Sequence, residues 1–403
     1  MRIAVVGAGP GGAWAARCLA RAGAGVTLFD PSHPREKPCG GGITGRALGV
    51  ISEILPTLHV PSVVVKAARI EAGLTAPGAG SGSTPLNGVT VPLAAHGVSP
   101  ASSLIVASRT AFDAALVTEA VRAGARLVAE RVLDVCCAGN RVTIRTARWE
   151  HEADFLIGAD GANSLVRRRL TTPFTRDQLS IGTGFFVHGA KSSDIVIGCV
   201  AEPPGYLWSF PRPDHLAIGI CTQADGPATA GWLREYTRGW MANNSIDART
   251  RITPYSWPIP SLSAENFDRM PAAGARWLLV GDAAGLVDPL TREGIYYALL
   301  SGHWAAEALL TDVGRASAAY QARLADEIYP ELRHAAQLKH GFFRHDFSSL
   351  LLEALRRSQA IRRIMTDLIS GHQPYRGLRW RLLNTLEWGL AARILAQKMT
   401  RRS

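Results

Sequence analysis

The chain opens on Ile3-Ala4-Val5-Val6, a short unbroken apolar run that reads as a buried parallel strand. Gly7 to Gly12 make a turn. Ala13–Ala22 then carries helical spacing and stops at Gly23, and Val26-Thr27-Leu28-Phe29 is a second strand closed by Asp30. Together these form a βαβ unit. The rhythm returns over 101–140, with a strand at Leu104–Ala107, a helix over Thr110–Ala123 and a strand over Arg126–Val132. Residues 141–160 alternate as strands and end in Phe155-Leu156-Ile157-Gly158. Residues 180–225 alternate polar and apolar, the period of an antiparallel sheet. From 294 onward the pattern is helical, over 294–311, 315–341, 346–370 and 378–399. Residues 77–85 are a Gly/Ser/Pro-rich surface loop. There is no internal repeat.

The first turn reads Gly7-Ala8-Gly9-Pro10-Gly11-Gly12, a G-x-G-x-x-G motif between strand and helix. Gly7 permits the tight turn, Gly9 lets backbone approach a pyrophosphate, and Gly12 lets the helix sit close to the strand. Asp30, at the end of the second strand, is placed to accept from adenosine ribose hydroxyls, which argues against a 2′-phosphate. Arg109 follows a strand and starts a helix, where a cation could reach the pyrophosphate from the other side. The turn Gly158-Ala159-Asp160-Gly161 precedes a basic helix with Arg167-Arg168-Arg169. Asp160 reads as a loop organiser near the dinucleotide, and the three arginines as a solvated face.

The second motif lies far downstream, in Gly281-Asp282-Ala283-Ala284-Gly285-Leu286-Val287-Asp288-Pro289-Leu290-Thr291-Arg292-Glu293-Gly294-Ile295. Asp282 is placed for ribityl hydroxyls. Pro289 and Gly294 shape a loop whose N–H groups face a flavin ring, and the helix opening at Gly294-Ile295 aims its positive end at the same place. The two motifs in this order imply FAD held along its length. The fold expected is α/β: a Rossmann-like, glutathione-reductase-type FAD domain (1–65, 105–175 and 265–312), an inserted antiparallel-sheet substrate domain (66–104 and 176–264), and a helical C-terminal region (313–403). With one dinucleotide fold, a nicotinamide donor would bind transiently; whether the reductant is NADPH, ferredoxin or another donor stays open.

Composition narrows the class. The chain has 403 residues, 47% of them hydrophobic and 19% charged, which suits a globular protein of two or three subdomains. No apolar run is long enough for a bilayer span, and the first strand starts at once, so a cytoplasmic protein is expected. The six cysteines show no CxxC or metal spacing, so thiols and no metal site are expected. The net charge of +11 fits an anionic membrane surface better than nucleic acid, because no nucleic-acid module is present and the basic excess gathers in the tail. There Trp380, Leu383, Leu386, Leu390 and Ile394 recur at helical spacing among Arg379, Arg381, Arg393, Lys398, Arg401 and Arg402, a helix lying on a membrane or closing a pocket.

Three further stretches point one way: Lys37-Pro38-Cys39-Gly40-Gly41-Gly42-Ile43, Pro203-Pro204-Gly205-Tyr206-Leu207-Trp208-Ser209-Phe210-Pro211, and Gly294-Ile295-Tyr296-Tyr297-Ala298. With Gly281-Asp282 they resemble the geranylgeranyl reductase family of FAD enzymes, within the larger group shaped like p-hydroxybenzoate hydroxylase. The resemblance covers roughly residues 1–310. It implies reduction of isolated double bonds in a polyprenyl lipid or quinone by hydride from reduced FAD. It also implies that Tyr206 and Trp208 shape a lipid pocket beside the ring, that Cys39 lies near the flavin as proton donor or gate, and that Gly40, Gly41 and Gly42 let backbone pass close to the isoalloxazine. Independently, Tyr206, Trp208 and Phe210 alternate along one strand and so share a face. Arg292 departs from the pattern, which expects a small residue before Glu-Gly; its guanidinium would add charge near the ring or meet an anionic group on the substrate. The rival readings are a flavin monooxygenase acting on an aromatic substrate and a flavin-dependent halogenase. For the latter, Tyr255-Ser256-Trp257-Pro258-Ile259-Pro260 is a near match to W-x-W-x-I-P, but its prolines suggest a loop.

Overall fold

The computed structural model describes residues 1–74, 88–93, 104–246 and 251–385. The loop expected at 77–85 and the tail positions Leu386, Leu390, Arg393, Ile394, Lys398, Arg401 and Arg402 lie outside these. A six-stranded sheet runs in the order Ala273–Gly274, Trp277–Leu279, Phe155–Gly158, Arg2–Val6, Gly25–Phe29, Arg126–Val128, all parallel but for the first join. Its central strands, Trp277–Leu279, Phe155–Gly158 and Arg2–Val6 over residues 3–6, are buried apolar runs, as parallel strands covered on both faces must be. Helices Pro10–Arg21, Arg109–Arg122 and Ile295–Thr311 pack together in one layer, and an antiparallel meander (Asp134–Ala138, Arg141–Arg145, Glu150–Ala153) packs against the central strands. The first helix begins at Pro10, earlier than its apolar spacing suggests, because proline at the first helical position loses no bonded N–H. Gly11 and Gly12 therefore lie in its first turn.

The second sheet has seven strands in the order Ile252–Pro260, Leu179–His188, His215–Gln223, Gly205–Pro211, Asp194–Val200, Ala67–Leu74, Gly88–Pro92. It is antiparallel except where Ala67–Leu74 joins Asp194–Val200 in parallel. The proline-rich Ile252–Pro260 is a strand and not a loop. It pairs with Leu179–His188 alone, and an edge strand can leave the proline nitrogens facing out of the ladder. One face of this sheet buries Phe185, Leu207, Ile218 and Ile220 under the helix Ala230–Asn243. The other face gathers Trp208, Phe186 and Tyr255, with Tyr206 and Phe210 against them.

The C-terminal region is mostly helical from Ala316 to Leu383. A π turn at Leu324–Ile328 joins Ala316–Arg323 to Tyr329–Phe342 without breaking the run. At Ser358 the run does break, because its hydroxyl accepts from the Ile361 N–H and caps a new helix, Gln359–Ile369. These helices cover the end of the seven-stranded sheet and pack beside Tyr206 through Phe342, Phe343 and Tyr375.

Helices Pro10–Arg21 and Ile295–Thr311 cross backbone to backbone. A β-carbon on Gly302 would lie 2.3 Å from the Gly11 carbonyl oxygen, and one on Gly11 would lie 2.7 Å from that of Ala298. Gly302→Ala is therefore expected to lower stability by about 1–3 kcal/mol, read as a drop in thermal midpoint with reduced flavin retention. An unchanged midpoint would show that the two helices are free to part.

Candidate functional site

Two adjoining cavities lie along the seam between the sheets. The larger is a groove of about 710 Å³ bordered by Gly7, Gly9, Asp30, Arg109, Asp160, Gly281 and Asp282. The smaller is a cleft lined by Cys39, Gly40, Tyr206, Trp208, Tyr255, Trp257, Arg292, Gly294 and Ile295. Pro10, Lys37, Arg109, Trp257, Asp282 and Ala298 border both, so the two are continuous.

The groove suits a dinucleotide. Gly7 has φ +102° and would drive a β-carbon to 2.3 Å from the Ala159 carbonyl oxygen. Gly12 would press one to 1.9 Å from the Gly7 oxygen, so it serves helix packing and lies behind the lining. Gly9 alone of the three faces open space, with nothing within 4 Å of its β-carbon position. Arg35, Lys37, Arg109, Arg131 and Arg168 border the groove, a positive field for a diphosphate bridge.

Asp30 borders the groove, yet its oxygens are already engaged. Oδ2 accepts from Ala8 N–H at 2.9 Å and His33 Nδ1 at 2.7 Å; Oδ1 accepts from Ser32 N–H and Oγ and from His33 N–H. Its carboxylate organises the loop after the second strand while it borders the groove. His33 continues inward, with Nε2 3.2 Å from Asp113 Oδ2, and Asp113 holds Arg109 in a two-point pair at 2.8 and 2.7 Å. Arg109 is thus buried and neutralised in place at the junction of the cavities. Burial alone would lower the His33 pKa, but hydrogen bonds to Asp113 and Asp30 outweigh it and raise the pKa, so the two carboxylates favour the cationic ring between them. Asp30 and Asp113 are correspondingly lowered against the cost of burial.

Asp160 accepts from Ser164 Oγ at 2.5 Å and from the Leu165 and Val166 N–H groups, so it caps the short helix Leu165–Leu170. The arginines behind it are not all solvated. Arg167 is buried, donates to the Ala283 carbonyl at 3.1 Å and sits over the Phe174 ring, which ties this turn to the Gly281 turn.

The cleft is where the motifs meet. Lys37 Nζ donates to Asp282 Oδ2 at 2.8 Å, which links the Cys39 loop to the Gly281-Asp282 turn. Tyr206 Oη donates to the Thr291 carbonyl at 3.2 Å, which links the aromatic strand to the second loop. Arg212, directly after that strand, is fully buried, pairs with Glu36 and donates to the Cys39 carbonyl at 2.5 Å. Glu36 also accepts from Ser108 Oγ, Arg109 N–H and Thr110. Glu36 and Arg212 went unseen in the sequence, where only their position beside the motifs marks them, and Lys37 was read only as part of its motif.

The glycines of the Cys39 loop serve this grip. A β-carbon on Gly40 or Gly42 would lie 2.9 Å from the Phe210 ring, and Gly41, at φ +82°, would lie 2.5 Å from the Ala107 oxygen. The space on their β-carbon side is filled by protein, and Gly40 also borders the cleft. Gly41 does not reach the lining. Neither does Pro289: the loop after it is held by Asp288, whose Oδ1 accepts from Leu290 and Thr291 N–H and whose Oδ2 accepts from Tyr375 Oη at 2.8 Å. Glu293 ties the same loop to Thr44 and Arg46. Cys39 Sγ accepts from Gly41 N–H at 3.2 Å and faces the cleft. Trp208 lies over a furrow of small residues: a β-carbon on Gly219 would meet its indole at 2.4 Å.

Comparison with known proteins now decides the family. The FAD binding domain family matches residues 1–196. The chain is 31% identical over 367 residues to a digeranylgeranylglycerophospholipid reductase of Methanothrix thermoacetophila, covering 85% of this chain and 87% of that one. The chain belongs to the geranylgeranyl reductase family. It is an FAD-dependent oxidoreductase of that family. A menaquinone reductase of Mycolicibacterium smegmatis is 30% identical over 77% of this chain and 76% of its own. The crystal structure of a geranylgeranyl bacteriochlorophyll reductase-like protein from Thermoplasma acidophilum shares the fold, with a TM-score of 0.72 at 21% identity over 95% of this chain and 98% of that one.

The Asp30–His33–Asp113 bridge predicts a pH signature. The His33 pKa in the folded state lies above its ordinary 6.5, so its contribution to stability is whole below that value and is lost as pH climbs through the raised one. The gap in thermal midpoint between the native protein and His33→Gln should therefore be widest in mild acid and narrow in alkali. A gap that grows with pH would exclude the cationic bridge.

Proposed function

We propose that this reductase hydrogenates carbon–carbon double bonds in the prenyl chain of a lipid or quinone. The observation that carries the reading is the cleft itself: one aromatic sheet face and the Cys39 loop close on a single apolar slot that opens into the dinucleotide groove. Bound reduced FAD would supply the hydride. Tyr206, Trp208, Tyr255, Trp257, Ile259, Val287 and Ile295 would hold the chain by apolar contact and keep water away. The two named relatives act on a phospholipid and a quinone, which share prenyl chains but not head groups.

The proton for the second carbon needs a donor in the slot. Tyr206 Oη donates to the Thr291 carbonyl and Tyr255 Oη to the Ile218 carbonyl at 2.9 Å, and burial pushes both phenols well up. Their protons are committed. Cys39 Sγ accepts from Gly41 N–H, lies beside Arg109 and lines the slot, and it is the group we assign to that step or to its gating.

Among the described residues no helix is long and apolar enough to cross a membrane. The short helix Leu378–Leu383 exposes Trp380 (72%) and Leu383 (51%) beside Arg376, Arg379 and Arg381. We read it as a foot on an anionic membrane from which the substrate is drawn. Trp380→Asp should reduce co-flotation with anionic vesicles while flavin content stays full; equal flotation would remove the foot.

The central test incubates dithionite-reduced enzyme with prenyl lipids and quinones and weighs the products. Pairs of added hydrogens are expected; added oxygen would make it a monooxygenase. Trp208→Ala should cut turnover by about an order of magnitude or more with flavin content retained, and full turnover would take Trp208 out of the slot.

A further inference from the structure

Arg292 is the one residue of the second motif that the reductase reading leaves without work. It adopts φ +62°, in the left-handed region where a β-carbon is disfavoured and glycine is at ease. Only Ser245 shares that conformation among the described non-glycine residues. A small residue would fit this backbone better, so the side chain itself must account for an arginine here. Its Nε and Nη1 are shut off from solvent with no hydrogen-bond partner, and no carboxylate lies within ion-pair distance among the described residues. Buried, charged donors left unpaired are costly and call for an acceptor.

The place of the guanidinium indicates which acceptor. Arg292 lines the cleft with Cys39, Tyr206 and Trp208. Its charge acts on Tyr206 and on Lys339 of the helix Tyr329–Phe342, and its side chain is within hydrogen-bonding reach of the Cys221 thiol on the strand His215–Gln223, which leaves Nε and Nη1 without an acceptor. Lys339 has only neutral acceptors, Gln223 Oε1 at 3.1 Å and Ser261 Oγ at 3.0 Å. Burial first, and then Arg292, push its pKa down to about 8, while Asp225 and Cys221 act the other way. Lys339 is not part of the cleft lining and adds its charge from outside it, while Arg292 reaches the cleft itself.

We propose that Arg292, supported by Lys339, seats a phosphate ester at the head of the prenyl substrate. The planar fork of arginine suits two phosphate oxygens, and the second cation balances a dianion. A head group held there places the double bonds of the first isoprene units beside Cys39 and Trp208, so the reductase would favour bonds near the head. This inference rests on the reductase reading and adds to it the chemistry of the head group.

The experiment compares the holoenzyme with Arg292→Gly, which suits the backbone, and with Lys339→Met. Each is given geranylgeranyl diphosphate, a digeranylgeranyl phospholipid in detergent, and uncharged geranylgeraniol. In the native protein, kcat/KM should favour at least one phosphorylated substrate over the alcohol. In Arg292→Gly that preference should fall at least about tenfold, mostly through KM, and in Lys339→Met by a smaller factor. The two phosphorylated arms tell a free diphosphate from a lipid head group. The reduction potential of the bound flavin should stay put. An unaltered preference, or a loss confined to kcat with a shifted flavin potential, would overturn the seat and put Arg292 at the ring. Failure of the native protein to reduce any of the three overturns the reductase reading instead.

Discussion

The site depends on a single buried guanidinium. Arg212 is sealed from solvent, and among the described residues it is the only group that reaches from the aromatic strand to both Glu36 and the Cys39 carbonyl. Buried charge is tolerated only when its partner is fixed and fully bonded. Glu36 meets that condition, because Ser108, Arg109 and Thr110 fill its remaining positions. The pair therefore locks three separate stretches together: the loop after the second strand, the start of the helix Arg109–Arg122, and the end of the strand Gly205–Pro211. Remove either member and a bare charge remains in the seam, so the two sheets would lose their common reference point.

Around that lock, small residues decide where large ones go. Gly40 and Gly42 admit the Phe210 ring, and Gly219 admits the Trp208 indole. Each contact fixes an aromatic plane against backbone, which is stiffer than side chain against side chain. The slot is therefore preformed, a property that suits a substrate with no polar handle along its chain. The tail adds a brace from the outside, since Tyr375 reaches Asp288 and Glu331 holds the backbone of Tyr375 and Arg376.

Much of this was legible in the sequence, for physical reasons that also mark the limit. Strand, glycine turn and helix at residues 3–22 are set by local periodicity, and the alternation of Tyr206, Trp208 and Phe210 fixes their shared face whatever the partners. Pairings across the chain carry no such signal. Nothing local says that Arg212 meets Glu36, 176 positions away, or that His33 bridges Asp30 to Asp113. Asp30 was read from its offset to the glycines, which gives its position but not its partners, and Ser32 and His33 had claimed its oxygens. The strand Ile252–Pro260 was hidden because proline signals a loop until the topology shows it at an edge. Arg167 looked solvated because charge runs usually are, and only the Phe174 ring and the Ala283 carbonyl reveal otherwise.

The distribution of charge along the seam then separates binding from chemistry. Cations in the dinucleotide groove are either paired inside the protein, as Arg109 is with Asp113 and Lys37 with Asp282, or lie on its open border. The paired ones shape the wall, and the border ones attract a diphosphate and release it to solvent salt. Between the groove and Arg292 stands the aromatic face, with Tyr206 and Tyr255 turning their hydroxyls to carbonyls and their rings to the slot. An apolar stretch bounded by positive ends holds an amphiphile in register without gripping its middle. With the head group seated, that arrangement sets the double bonds nearest the head against the Cys39 and Trp208 wall and leaves the rest of the chain to apolar contact alone.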